Sequence, residues 1–355
     1  MRIQRAQTDR SVLLAAAAGI GFCLLAWRKA AIIHGFNFFK LFPNMRVCRT
    51  FSERSRLPSA LTIGNFDGVH RGHQAMLARL KANARALGLP ACVLTFEPHP
   101  LELFAPQTAP TRLTSLREKL ELLASHGIER VHVSRFNRAY ASRSPQDFIE
   151  QVLLEGLGMR WLLIGDDFRF GAKRAGDFAL LQEASRKHGF GLEAMHTVAL
   201  EGVRVSSSVV RAALAAGRLA EAKALLGRPY SISGRVVHGD KLGRKIGFPT
   251  ANVQLRHNRP PLSGIFAVRT VDGHGVLRNG AASLGLRPTV DQSGRAKLEV
   301  HLFDFDGDLY GEHLRIDFLH KIRDEQKFPD LETLKSRIAQ DCDIAREFLA
   351  ANESA

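Results

Sequence analysis

Between residues 59 and 200 the apolar positions follow two periods in turn. Short apolar runs, "ALTIG" (60–64), "ACVLTF" (91–96), "RVHVSRF" (130–136) and "WLLIG" (161–165), have the length and bounding residues of strands. Each is followed by a stretch with helical spacing: about His70–Leu87, closed by Gly88 and Pro90, then about Leu116–Ala124, Pro145–Leu154 and Phe178–Lys187. This alternation predicts a parallel sheet with helices on its faces. After a helical segment, "SSSVVRAALAAGRLAEAKALLG" (206–227), the texture changes to short runs rich in Val, Ile and Phe: "SISGRVVHG", "GIFAVRTVDG", "AASLGL", "KLEVHLFDFDG" and "HLRIDFLHKI". Strands at that spacing predict an antiparallel barrel or sandwich, and a last helix, about Leu331–Leu349, would pack across it.

In a parallel sheet ligands bind beyond the carboxyl ends of the strands. Three polar stretches fall there, "GNFDGVHRGH" (64–73), "TFEPHP" (95–100) and "GDDFRFG" (165–171). In the first, His70 and His73 stand three apart where a strand gives way to a helix, so both rings would share a face at a helix N-terminus. Free backbone N–H groups and the macrodipole favour a phosphate there. Gly64, Gly68 and Gly72 would let a ligand approach the backbone. A pair of solvated first-turn histidines is the plainer alternative. Further on, Ser206–Ser208 can cap a helix and Arg211, one turn later, reaches the same end. Capping groups with a guanidinium suit phosphate oxygens, and an ordinary cap with a solvated Arg fits the same residues.

The composition, 45% hydrophobic and 24% charged over 355 residues, excludes a disordered chain and leaves room for two cored domains. Four cysteines without CxxC spacing (Cys23, Cys48, Cys92, Cys342) suggest neither a zinc site nor a disulfide framework, and fit a reducing compartment. The formal net charge of +15 is uneven: residues 1–58 hold ten Lys/Arg against two Asp/Glu. The excess suits anionic ligands, nucleic acid or a membrane surface alike. Residues 1–44 stand apart. Arg2, Arg5 and Arg10 precede the 17 uncharged residues 11–27, "SVLLAAAAGIGFCLLAW". That run is shorter than the ~20 apolar residues of a usual membrane span. A membrane anchor (residues 12–27), an export signal without a convincing cleavage site, and sequence upstream of a true start at Met45 all compete; the last is the expectation, because the informative chemistry lies beyond Met45.

Taken in order, "GNFDGVHRGHQ", "TFEPHP", "GDDFRFG" and "SSSVVR", followed by "GRVVHGDKLGRKIGFPTANV", "SGIFAV", "LGLRPTV", "LEVHLFDFDGDLYG" and "IRDEQKF", resemble the bacterial bifunctional riboflavin kinase/FMN adenylyltransferases, the prokaryotic FAD synthetases. The resemblance runs from about Met45 almost to the C-terminus. It departs at Ser208, where the family more often has Thr, and at residues 1–44, which match nothing in the family.

The resemblance implies a Rossmann-like α/β nucleotidyltransferase domain (45–228), then an antiparallel β-barrel flavokinase domain (229–355) with a C-terminal helix. It implies that His70 and His73 hold the triphosphate of ATP while FMN attacks, with Gly64, Asn65, Ser207 and Arg211 at the nucleotide and Asp167 and Phe168 lining the flavin's space. Asp167 is equally a turn residue after a strand. In the second half it implies that Thr250 and Asn252 hold Mg²⁺ with ATP, that Gly239, Gly243 and Gly247 form a flap over phosphates, and that Glu299 is the base for the riboflavin 5′-hydroxyl. A hydroxyl and an amide oxygen are hard ligands suited to Mg²⁺, and Glu299 lies on the opposite strand face from Leu298 and Val300. A solvent-facing strand Glu is the alternative.

The expected protein is a cytoplasmic transferase that makes FMN from riboflavin and then FAD from FMN, using ATP. No nucleic acid is expected, and no membrane unless residues 12–27 are an anchor. Two rivals stand beside it: an enzyme with one active half, and a membrane-tethered basic nucleic-acid-binding protein. The second lacks aromatics interleaved on basic strands.

Overall fold

The computed structural model describes residues 32–33, 36–37, 45–52, 56–196, 198–200, 202–239, 242–255, 259–286 and 296–352. The apolar run 11–27 and most of "LGLRPTV" lie outside them. Two units are distinct, residues 1–46 and 47–355. In the first, Ile32–Ile33 pairs antiparallel with Phe36–Asn37.

A six-stranded sheet follows, all of it but Arg46 in the second unit. Its strands are β1 (Arg46–Cys48), β2 (Ser59–Ile63), β3 (Ala91–Glu97), β4 (Arg130–Arg135), β5 (Met159–Gly165) and β6 (Gly191–Met195), in the order β1-β4-β3-β2-β5-β6. The pairs joining β2 to β6 are all parallel. Every residue of β2 is buried, as a central strand covered on both faces requires. Helix α1 (Arg71–Ala86) buries Leu77, Leu80 and Ala84, one stripe at helical spacing. Helix α2 (Leu116–Ser125) starts in a capping box of Ser115 and Glu118.

The segment expected as a helix from Pro145 is one α-helical turn that continues as a π-helix over Phe148–Gly156, here named α3. Helix α4 (Phe178–His188) matches its expected span. The helical segment 206–227 is two helices, α5 (Ser207–Ala215) and α6 (Leu219–Leu226), parted at Gly217. The strand order runs outward from β2 to β4 and then restarts at β5 on the other side. This makes the carboxyl ends of β2 and β5 the switch point where such sheets open a crevice.

The second half is a closed antiparallel barrel. It comprises β7 (Tyr230–Val237), β8 (Ala251–Val253), β9 (Gly264–Val271), β10 (Leu277–Leu286), β11 (Ala296–Leu302) and β12 (His313–Arg323), in the order β7-β8-β11-β10-β9-β12, and β12 closes on β7. Helix α7 (Leu331–Ala351) lays Cys342, Ala345 and Leu349 against Ala267 and Ala281 of the barrel wall. Inside, Phe266, Leu298, Val300 and Ile316 form a core that runs without a break into Leu214, Leu225, Val205 and Leu113 of the first half. Glu118 crosses the same boundary, its Oε1 accepting the N–H of Ser233 at 2.6 Å and its hydroxyl at 3.0 Å. No helix among the described residues is long and apolar enough to cross a membrane.

Candidate active sites

Strand β2 delivers Gly64 and Asn65 to the crevice. Gly64 N–H donates to Leu94 O at 3.1 Å, and Asn65 O accepts from Thr95 Oγ1 at 3.2 Å, which ties the strand end to β3. The chain then passes through Phe66 (φ +48°), Gly68 (φ +81°) and Val69 (φ +40°). Left-handed backbone at residues with side chains costs roughly 1–3 kcal/mol each and persists only where the surroundings impose it.

Those surroundings centre on the buried Asp67 carboxylate. It accepts the N–H groups of Leu113 and Thr114, each at 3.0 Å, the Thr114 hydroxyl at 3.1 Å and Arg211 Nη2 at 2.5 Å. Thr114 Oγ1 in turn accepts from Gly68 N–H at 3.1 Å, and Ser207 Oγ donates to Asp67 O at 2.9 Å.

His70 caps α1. Its Nδ1 accepts from His73 N–H at 3.4 Å, and the two rings stack 3.7 Å apart at 19°. The shared face expected from the spacing is therefore a stacked imidazole pair over a helix N-terminus whose first turn holds no acid. Burial pushes His70 down to about 4, with Asp67 opposing and Arg211 and Arg228 adding to the fall. Burial, then His70 and Lys119, drive His73 well below its usual range. Both rings are neutral near pH 7, and His73 Nδ1 is buried without a hydrogen-bond partner among the described residues. The pair thus carries a buried nitrogen short of a partner, as ligand sites often do.

All three glycines of this loop have protein packed where a Cβ would point. A Cβ on Gly68 would lie 2.7 Å from Leu113 Cδ1, one on Gly72 3.3 Å from Val205 O and one on Gly64 3.1 Å from the Phe66 ring. Protein, and not open space, sits beside each.

Arg211 commits two donors within the protein: Nη2 to Asp67, and Nε to Thr111 O at 2.5 Å. It is the counter-ion of the loop's organising carboxylate. Asp167 lies at the surface with Arg204 Nη2 2.5 Å from its Oδ2, while Phe168 stacks on Phe170 at 5.6 Å. Arg204 leads through Val205 to Ser207, so the "GNFDGVHRGH", "GDDFRFG" and "VSSS" stretches meet at the crevice.

Four residues with parts in this geometry escaped the sequence reading: Asp67, Thr114, Lys119 and Arg228. Asp67 reads as a turn former between glycines, and its partners lie 46 or more residues away. Lys119 is buried, and that burial lowers its pKa; a Lys on an amphipathic helix reads as solvated.

The barrel holds the second site, a cavity of about 280 Å³ between the wall and α7. Asn252 and Ser283 flank Glu299 in register on neighbouring strands, and Thr250 stands two residues before Asn252. All four line the cavity with Gly243. Leu298 and Val300 point into the core and Glu299 does not, as the alternation predicts. Lys297 Nζ, two residues back on the same face, lies 2.6 Å from Glu299 Oε1. Glu325 shares the cavity; burial raises its pKa, Arg323 opposes, and the neighbouring Glu299 carboxylate adds to the rise.

Gly239 brings its backbone against the Asn252 amide, where a Cβ would lie 2.3 Å from Nδ2. Gly243 lies within a helical turn over Leu242–Lys245, and Gly247, two residues after it, adopts φ +89°. Asn252 Oδ1 is buried with no partner among the described residues. An orphaned amide oxygen beside the Thr250 hydroxyl fits a hard cation. No group of three His, Cys, Asp or Glu that could hold a metal exists among the described residues, so such an ion would draw its other ligands from phosphate and water.

A family model described as FAD synthetase matches residues 52–209, and one described as riboflavin kinase matches residues 226–349. The chain is 49% identical over 314 residues to a bifunctional riboflavin kinase/FMN adenylyltransferase of Escherichia coli (strain K12), covering 88% of this chain and 100% of the relative. It is 51% identical over 289 residues to the protein of that name from Pseudomonas fluorescens, covering 81% of this chain and 92% of the relative. A crystal structure described as a macrolide-efflux protein from Streptococcus pneumoniae superposes with a TM-score of 0.71 at 27% identity, covering 87% of this chain and 99% of the other.

Proposed function

The chain belongs to the family of bifunctional riboflavin kinase/FMN adenylyltransferases, and from that premise we propose how its two sites divide the work. The protein is a transferase with both activities and uses ATP as co-substrate. Residues 45–228 carry the adenylyl transfer and residues 229–355 the phosphorylation. The observation that carries this reading is the pairing of two separate sites in one chain: stacked histidines at a helix N-terminus in the sheet's crevice, and an acid beside an orphaned amide oxygen in the barrel cavity.

In the barrel, Glu299 accepts the proton of the riboflavin 5′-hydroxyl as that oxygen attacks the γ-phosphorus and ADP leaves. Thr250 and Asn252 would hold Mg²⁺, which would supply charge neutralisation at the phosphates. Gly239, Gly243 and Gly247 let the backbone close over the phosphates, and Lys297 keeps the Glu299 carboxylate in place.

In the crevice, an FMN phosphate oxygen attacks the α-phosphorus of ATP and the bond to the bridging oxygen breaks, releasing pyrophosphate. The protein forms no covalent bond; it positions and compensates charge. His70 and His73, kept neutral by burial, lie where an arriving triphosphate would draw protons onto them. Gly64, Asn65 and Ser207 border the nucleotide, Arg211 steadies the loop through Asp67, and Asp167 with Phe168 borders the flavin. The chemistry suits the cytoplasm, where ATP is supplied.

The test is to incubate the full chain with riboflavin, ATP and Mg²⁺ and to follow flavins by chromatography. FMN should rise and then give way to FAD. His73→Ala should stop FAD and spare FMN; Glu299→Ala should stop FMN and leave FAD synthesis from supplied FMN intact. Loss of FMN as well as FAD in His73→Ala, or failure of Glu299→Ala to make FAD from supplied FMN, would overturn the division of labour.

A further inference from the structure

The loop that presents His70 is gripped from behind by the segment that leads into the barrel. Arg228, two residues before β7, donates Nη2 to Gly68 O at 2.7 Å and Nη1 to Val69 O at 3.4 Å and Leu226 O at 3.3 Å. Gln74, in the second turn of α1, donates Nε2 to Val69 O at 2.9 Å and to Leu226 O at 2.7 Å. Arg71 Nε reaches Ala224 O at 2.8 Å. The catalytic loop and the first turns of α1 are therefore clasped to the C-terminal end of α6 through backbone carbonyls.

The two carbonyls that Arg228 holds belong to left-handed residues, Gly68 at φ +81°, where glycine is at ease, and Val69 at φ +40°, where a branched side chain is strained. A left-handed Val relaxes unless its neighbours forbid it. Relaxation here would rotate the peptide immediately before His70 and with it the ring stacked on His73. A guanidinium is a planar fork that holds adjacent carbonyls in a fixed geometry, whereas the three donors of an ammonium rotate on a flexible stem.

We propose that Arg228 is a positioning residue for adenylyl transfer: by holding the Gly68 and Val69 carbonyls it fixes the turn that aims His70, and it anchors that turn to the linker between the two halves. The proposal rests on the adenylyltransferase reading of the histidine pair. Arg228 commits Nη1 and Nη2 to backbone carbonyls of the protein. Its effect is on the placement of the imidazole, and a displacement near 1 Å at a reacting centre costs about a hundredfold in rate.

The experiment compares the full-length wild type with Arg228→Gln and Arg228→Lys. It measures kcat and KM for FAD formation from FMN and, in the same preparations, the rate of riboflavin phosphorylation. Arg228→Gln should lower the FAD-forming kcat by about ten- to a hundredfold. KM for FMN and the kinase rate should stay within about twofold. Arg228→Lys should recover part of the loss, since one carbonyl can still be held.

A FAD-forming kcat within about twofold of wild type in both variants overturns the proposal, and so does an equal fall in both activities, which marks a general loss of structure. Should Arg228→Gln fail to fold, Arg228→Lys decides alone: a reduced FAD-forming kcat with intact kinase supports the role, and a wild-type value removes it. A wild-type chain that makes no FAD from supplied FMN overturns the underlying reading and the proposal with it.

Discussion

Asp67 takes hydrogen bonds from two distant stretches, residues 113–114 and Arg211, and its side chain is 6% exposed. Truncating it would leave Arg211, 15% exposed, without a counter-ion. Removing one partner of a buried pair costs roughly 3–5 kcal/mol, so Asp67→Ala should lose about that much stability in urea unfolding; a loss under about 1 kcal/mol would show that water replaces the carboxylate.

Histidines set the response to acid. Burial holds His70 and His132 near about 4 against an ordinary value of 6.5. Between those values the unfolded chain binds a proton that the folded chain refuses. Stability is therefore complete above about pH 6.5 and falls toward pH 4, by up to about 1.4 kcal/mol per unit for each ring. His132 stacks on Phe51 at 4.6 Å. His132→Phe keeps a stacking ring and removes one titration, so its stability should depend less steeply on pH between about 5 and 6; a wild-type slope there would refute the assignment. The histidine pair was legible in the sequence because helical spacing is local. Their depressed basicity was not, because it comes from enclosure by residues far along the chain.

At the scale of elements, α7 is fastened to the barrel by a buried ion pair. Arg323 donates Nε to Asp341 Oδ1 at 2.9 Å and Nη2 to Oδ2 at 2.6 Å, with side chains 10% and 4% exposed. Both residues line the barrel cavity. Asp341→Ala should destabilise by about 3–5 kcal/mol and slow riboflavin phosphorylation more than adenylylation, measured side by side; equal slowing would assign the pair to general stability. The long strands and helices could be read from their periods. Strand β8, three residues long, β1 and β6 escaped, because runs that are short or only partly buried leave no periodic signal. The π-helical turns of α3 escaped as well, since its buried positions, Phe148, Ile149, Val152 and Leu153, fit an α-helical stripe too.

Across the whole molecule, the two halves share a hydrophobic cluster and the Glu118–Ser233 bonds. Parting them would expose that core, so residues 47–355 should unfold in a single calorimetric transition, with matching calorimetric and van't Hoff enthalpies. Two resolved transitions, each following one activity, would show independent halves.

Periodicity, caps and motifs are properties of neighbours in the chain, so the order of the long elements, the change from parallel sheet to antiparallel barrel and the proposed site residues could be read before folding. That Arg211 faces a buried carboxylate, that protein packs beside Gly68 and Gly72, and that Arg228 clasps the loop of His70 became visible with the fold. Those depend on which distant backbone groups are left wanting a partner once the chain has folded, and no local pattern records that.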